Sequence, residues 1–182
     1  MEEVAHVAFA CRGTLVDWTS ALDAVAYELA RRNGESPLDR GASLGRRVEA
    51  LAASDGLARG FERLAEERGY RDEESGAESL ARVIAMARPL RGAREAVQFA
   101  ARSGRRVVAV ARTESFHALK PFGDAFEAVV SDPCEIGAPP EAIIYVSAAQ
   151  RRREDARRRG MRATALHELA LVLAAPPTIL AV

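Results

Sequence analysis

Apolar residues fall into two rhythms along this chain. His6-Val7-Ala8-Phe9-Ala10-Cys11 is nearly continuous apolar sequence, and it stops at Arg12-Gly13-Thr14. Such a run suits a strand covered on both faces, with Gly13 free to turn the chain after it. The spacing then becomes helical. Leu22, Val25 and Leu29 form a first stripe, introduced by Thr19-Ser20 as cap candidates and ended near Asn33-Gly34. Residues 35–42 read as a loop. Three more stripes follow: Leu44, Val48 and Leu51; Leu57, Phe61, Leu64 and Ala65; Leu80, Val83 and Ile84. Turns at Ser54-Asp55-Gly56 and from Gly69 to Gly76 separate them, and Pro89 ends the pattern. Residues 19–86 are therefore predicted to be all helical.

From Arg91 the two rhythms alternate. A helix is predicted over 92–103, ended by Gly104, and then a strand at Val107 to Ala111. A polar turn and short helix lead to a third strand, Phe126 to Val130, and Ala142 to Val146 is a fourth. Residues 149–159 read as a helix ended by Gly160, Ala163 to Leu166 as a fifth strand and His167 to Leu173 as a short helix. Thr178 to Val182 is a candidate last strand. Strands alternating with helices predict parallel βαβ units with right-handed crossovers. The fold class expected is α/β: a doubly wound parallel sheet from residues 1–18 and 87–182, with an all-helical cap, 19–86, inserted after the first strand. Ligands of such sheets sit outside the carboxyl ends of the strands. Ala10 to Thr14, Ala111 to Glu114, Ser131 to Pro140 and Ser147 to Gln150 would then surround one crevice.

Charge narrows the function classes. The 26 basic and 26 acidic residues balance, so no general field attracts nucleic acid or an anionic membrane. The two cysteines, Cys11 and Cys134, are too few for a disulfide framework, and no zinc spacing occurs. The acidic start Met1-Glu2-Glu3 is unlike a signal peptide, and no apolar stretch is long enough to span a bilayer. A reduced cytoplasmic protein without metal or other cofactor is expected.

Phe9-Ala10-Cys11-Arg12-Gly13-Thr14-Leu15-Val16-Asp17-Trp18 resembles the opening motif of the haloacid dehalogenase superfamily, Phe-Asp-x-Asp/Tyr-Gly-Thr-Leu. Pro-Leu-Arg-Gly-Ala-Arg-Glu-Ala at 89–96, Phe122 to Ser131 and Arg159-Gly160-Met161-Arg162 also look like segments of that family, so the resemblance spans nearly the whole chain. It implies a Rossmann-like core under a helical cap. It also exposes departures. The family's nucleophilic Asp falls on Ala10, and a methyl group attacks nothing. The second Asp, an acid/base in the family's phosphatases, falls on Arg12, which stays protonated. The hydroxyl of the second motif falls on Ala111, followed by Arg112, and Ala138-Pro139-Pro140 stands where a Lys is expected. The magnesium-holding stretch reads Ser147-Ala148-Ala149-Gln150, with Asp155 the remaining carboxylate. The connection between Gly137 and Tyr145 is shorter than the family's and lacks a core helix.

The candidate ligand-binding residues are Arg12, Thr14, Trp18 and Arg112. The two arginines could offer a cationic anion site, or pair with Asp17, Glu114 or Asp132 and plug an abandoned one. Cys11 beside Arg12 could be an activated thiol, although buried free thiols are expected for both cysteines. Asp17 is expected to cap or brace the start of the helical insert, and Trp18 to pack. His6, His117 and His167 lack partners at metal-ligand spacing. Six arginines among residues 151–159 could bind nucleic acid, which two interleaved acids and the lack of nearby aromatics disfavour; acidic residues between Glu62 and Glu78 could complement them within the chain or across a dimer. The expectation is a pseudoenzyme lacking nucleophile, acid/base and magnesium carboxylates. It would be retained for binding or assembly, with a homodimer, a protein partner or a small anion in the cap–core cleft as its contacts. The alternatives are a lyase, isomerase or cyclase that works without an Asp nucleophile, and last a hydrolase of the family's own kind.

Overall fold

The computed structural model describes residues 5–35, 43–53, 55–71 and 74–174. The chain divides into two compact units, Met1–Val16 with Pro89–Val182, and Asp17–Arg88.

The first unit is built on five parallel strands: β1 (His6–Ala10), β2 (Arg106–Val110), β3 (Ala128–Val130), β4 (Ile143–Val146) and β5 (Arg162–Thr164), in the order β3-β2-β1-β4-β5. β1 is central and buried at every position, as its unbroken apolar run requires. Its residues alternate between two faces. Ala8 and Ala10 join Ile143, Tyr145, Ala156 and Met161 in one apolar cluster, under α6 (Gln150–Arg158). Phe9 points the opposite way and meets Phe126 edge-on at 6.5 Å, and Phe126 packs on Phe122 at 5.7 Å. On that side α5 (Ala93–Arg102) buries Val97 and Ala100 and touches β2 and α7 (Leu169–Ala174). The third strand begins at Ala128, two residues later than its apolar run suggests. The segment between β2 and β3 is a 3-10 helix, Thr113–Phe122, whose Pro121 limits regular helix. Two short 3-10 turns, Pro133–Ile136 and Pro140–Ala142, carry the chain from β3 to β4. The last strand expected at Thr178 to Val182 lies outside the described residues.

The regular elements described in the second unit are all helices: α1 (Trp18–Arg32), α2 (Leu44–Ala52), α3 (Leu57–Arg68) and α4 (Gly76–Met86). The cap of α1 is Asp17, which accepts from the Ser20 amide at 3.1 Å, so Thr19 and Ser20 lie in the first turn instead of capping it. Ser75 and Glu78 form a reciprocal capping box on α4. The buried face of α4 is Gly76, Ser79 and Val83, with Leu80 and Ile84 half-buried beside it. Close approach of α3 to α4 explains that shift: a Cβ on Gly76 would lie 2.0 Å from the Ala58 carbonyl oxygen. The acidic run is neutralised locally. Glu74 pairs with Arg32 and Arg82, Glu67 with Arg47, and Glu62 with Arg59.

Candidate site at the carboxyl ends of the strands

β1 ends at Ala10, and the chain turns through residues 11–16. The Cys11 carbonyl accepts from the Leu15 amide at 2.9 Å, and the Gly13 amide donates to the Val16 carbonyl at 2.9 Å. Gly13 takes φ +72°, which a side chain would strain. This turn presents Arg12 and Thr14. Arg12 Nε donates to Ser115 Oγ at 2.7 Å, and Arg12 Nη2 pairs with the Glu114 carboxylate. Ser115 is fully buried, and the Arg12 and Glu114 side chains are 17% and 19% exposed. The end of β1 is thereby tied to the first turn of the 3-10 helix after β2. Thr14 Oγ1, itself buried, accepts from the Ala148 amide at 2.9 Å and ties β1 to the loop after β4. Arg153 of α6 completes that loop, donating through Nη1 to the Ser147 and Ala148 carbonyls at 2.6 and 2.7 Å.

The residues singled out from the sequence sort unevenly. Arg12 and Thr14 are both engaged within the chain. Ala10 and Ala111 are buried, the Ala111 amide donating to the Val130 carbonyl at 2.8 Å. Arg112 is exposed; its carbonyl accepts from the Ser115 amide at 2.8 Å, and its side chain makes no hydrogen bond or ion pair among the described residues. Trp18 is buried and belongs to the helical unit. Burial pushes the Cys11 thiol up to about 11, against the smaller opposing pull of Arg12, so it is protonated near neutral pH. Cys134 is exposed, which corrects the expectation of two buried thiols. Asp132 caps the turn Pro133–Ile136 by accepting from the Cys134 amide at 2.8 Å, which turns that cysteine outward. Asp132 pairs with Arg159, and that contact, chiefly, holds its carboxyl below the usual range. It is therefore not the partner of Arg12.

Three of the six arginines at 151–159 are committed to other parts of the chain. Arg153 serves the β4 loop, Arg157 donates to the Ala163 carbonyl at 2.8 Å and Arg159 holds Asp132. Sequence reasoning missed Ser115 and Arg153. Ser115 gives no signal in sequence, and Arg153 is indistinguishable there from its neighbours.

No protein-family model and no curated protein sequence matches the chain. Solved structures do match its shape. An L-2-haloacid dehalogenase from Xanthobacter autotrophicus is 16% identical, with a TM-score of 0.65 over 88% of this chain and 76% of that one. A HAD-superfamily (haloacid dehalogenase superfamily) hydrolase of subfamily IA from Geobacter sulfurreducens PCA is 16% identical, with a TM-score of 0.63 over 94% of this chain and 97% of that one. A HAD phosphatase from Thermococcus onnurineus is 16% identical, with a TM-score of 0.63 over 96% of this chain and 100% of that one. The chain has the haloacid-dehalogenase-like α/β fold; identity at this level carries the fold alone. Magnesium, which that family implies, does not fit the residues at the corresponding positions. Ala10, Arg12, Ser147 and Ala148 offer no carboxylate, and the Arg153 guanidinium takes the Ser147 and Ala148 carbonyls. Asp155 pairs with Arg158 and Arg159. Among the described residues no group of three or more His, Cys, Asp or Glu is placed to hold a metal ion. No described helix is long and apolar enough to cross a membrane.

Proposed function

We propose that this chain is a haloacid-dehalogenase-like pseudoenzyme, retained for binding or assembly. The observation that carries the reading is Ala10. The resemblance puts the nucleophile at this position, and here it is a methyl group with no exposure, packed in the apolar cluster of Ala8, Ile143 and Tyr145. The acid/base position is Arg12, a permanent cation engaged by Glu114 and Ser115. The hydroxyl position is Ala111. Groups that act as a unit lose nearly all rate when any one is removed, and this chain lacks several. Under this reading the helical unit, Asp17–Arg88, stands in for the family's cap. Arg12, Thr14 and Arg112 are the residues toward which a small anion or a partner would be recruited, and no metal is required.

The test is turnover by the native protein on a panel of phosphate monoesters and 2-haloacids, with and without magnesium. The expected result is no rate above the buffer blank in either condition. Product formation that scales with protein concentration and survives repurification would overturn the reading.

A further inference from the structure

We propose that the outward face of α5 is a self-association surface whose partner is a second copy of this chain, docked antiparallel about a two-fold axis near Phe99. The proposal rests on the assembly half of the reading above and names the partner. α5 buries Ala93, Val97 and Ala100. At about 3.6 residues per turn, Glu95, Phe99 and Arg102 form one stripe on the opposite side of the helix, and all three are exposed. Phe99 is 45% exposed, and Leu171 on the adjoining α7 is 75% exposed. These are the two most exposed large hydrophobic side chains among the described residues, and they stand on helices that touch. Covering apolar surface of this kind is favourable.

The charges select what covers it. Glu95 stands in the first turn of α5 and Arg102 in the last, and neither makes an ion pair among the described residues. They lie outside the three- and four-residue spacings at which side chains pair along one helix. In an antiparallel pair of α5 helices Glu95 faces the partner's Arg102, Arg102 faces the partner's Glu95, and the two Phe99 rings meet between them. Such a contact is self-complementary and closes as a dimer. A parallel pair would set like charges together, and a wholly acidic or wholly basic partner would match one end of the stripe and oppose the other. α5 has ten residues, about 15 Å of helix, so the face is small and the dimer forms at concentrations of about 0.1 mM.

The experiment is sedimentation equilibrium of the full chain from about 10 µM to about 500 µM. The native mass rises from monomer toward dimer across that range. Glu95→Arg and Arg102→Glu each place like charges at both ends of the contact and weaken association by about tenfold. The two changes combined in one chain restore opposite charges and recover association to within about threefold of native. An equimolar mixture of the two single variants associates where neither does alone. Phe99→Asp sets two carboxylates at the axis and abolishes the dimer. All three positions are exposed, so thermal melts within about 3 °C of native report an intact fold. The proposal is overturned if the native mass stays monomeric throughout, if the single variants and Phe99→Asp associate as the native chain does, or if the combined reversal associates no better than the singles. Mass reports on assembly, and phosphate-ester turnover in the same samples reports on the missing chemistry, so either reading can fail alone.

Discussion

At the carboxyl end of the sheet Arg12 holds Ser115 and Glu114, Thr14 takes the Ala148 amide, and Arg153 takes the Ser147 and Ala148 carbonyls. At the amino end, His6 Nδ1 and Arg105 Nε are buried without a hydrogen-bond partner among the described residues. Open parallel sheets ordinarily bind their ligands at the carboxyl end, where polar groups wait for something outside the chain. Here the order is reversed. The polar side chains at the carboxyl end are largely spent on the chain itself, and the orphaned atoms of this unit lie at the end where ligands are not expected. The bonds from Arg12 to Ser115 and Glu114 and from the Ala148 amide to Thr14 link the ends of β1, β2 and β4, and Arg153 braces the loop after β4. That arrangement supports a role for this end in holding the fold, with the Arg112 side chain among those it leaves exposed.

The largest expected effect that tests the comparison comes from Ala10. Restoring a carboxylate there, Ala10→Asp, puts a charge among Ala8, Ile143, Tyr145 and Met161, with no exposure. The cost expected is about 4 kcal/mol, read as a lower urea midpoint and a melt about 10 °C lower. A variant as stable as the native chain would mean that this end still accommodates a carboxylate, and the comparison would fail. Thr14→Val is smaller and sharper. It keeps the shape and removes the acceptor, leaving the Ala148 amide unpaired at a site where Thr14 is 2% exposed. We expect a loss of about 2 kcal/mol and faster hydrogen exchange at Ala148, with Thr14→Ser recovering most of both. Unchanged exchange at Ala148 would remove Thr14 from the set of strand-end links.

The fold was legible because burial on both faces demands unbroken apolar runs, and the strands at His6, Arg106 and Ile143 carry them within a residue of where they were read. The helical stripes were legible for the same reason, except where small residues set the approach. Gly76 and Ser79 give no apolar signal, yet they form the buried face of α4 with Val83, because the distance to Ala58 decides it. Of the candidate site, residue type was legible: Ala10, Arg12 and Ala111 cannot do what carboxylates and hydroxyls do. The partners of these positions were hidden. Arg12 and Glu114 stand 102 residues apart, and three partners were open to Arg12 from sequence. Arg153 lies among six arginines, and only the backbone path after β4 selects it for the Ser147 and Ala148 carbonyls.

The smallest expected effect lies at the amino end. Burial chiefly, and Arg106 second, lower the pKa of His6 below its ordinary 6.5, while Glu127 opposes them. The unfolded chain therefore takes up a proton at a higher pH than the folded one. The stability tied to His6 is fully present above pH 6.5 and is lost as pH falls from there toward the folded value. The slope is bounded by one proton, about 1.4 kcal/mol per pH unit. His6→Leu fills the same buried position without a titrating group. The difference between native and variant stability, followed by urea denaturation from pH 8 to pH 5, should be flat at the alkaline side and turn against the native chain below 6.5. A difference that stays flat throughout would mean that protonated His6 is accommodated at no cost. The amino end would then be as well satisfied as the carboxyl end, and the contrast between them would reduce to Arg105.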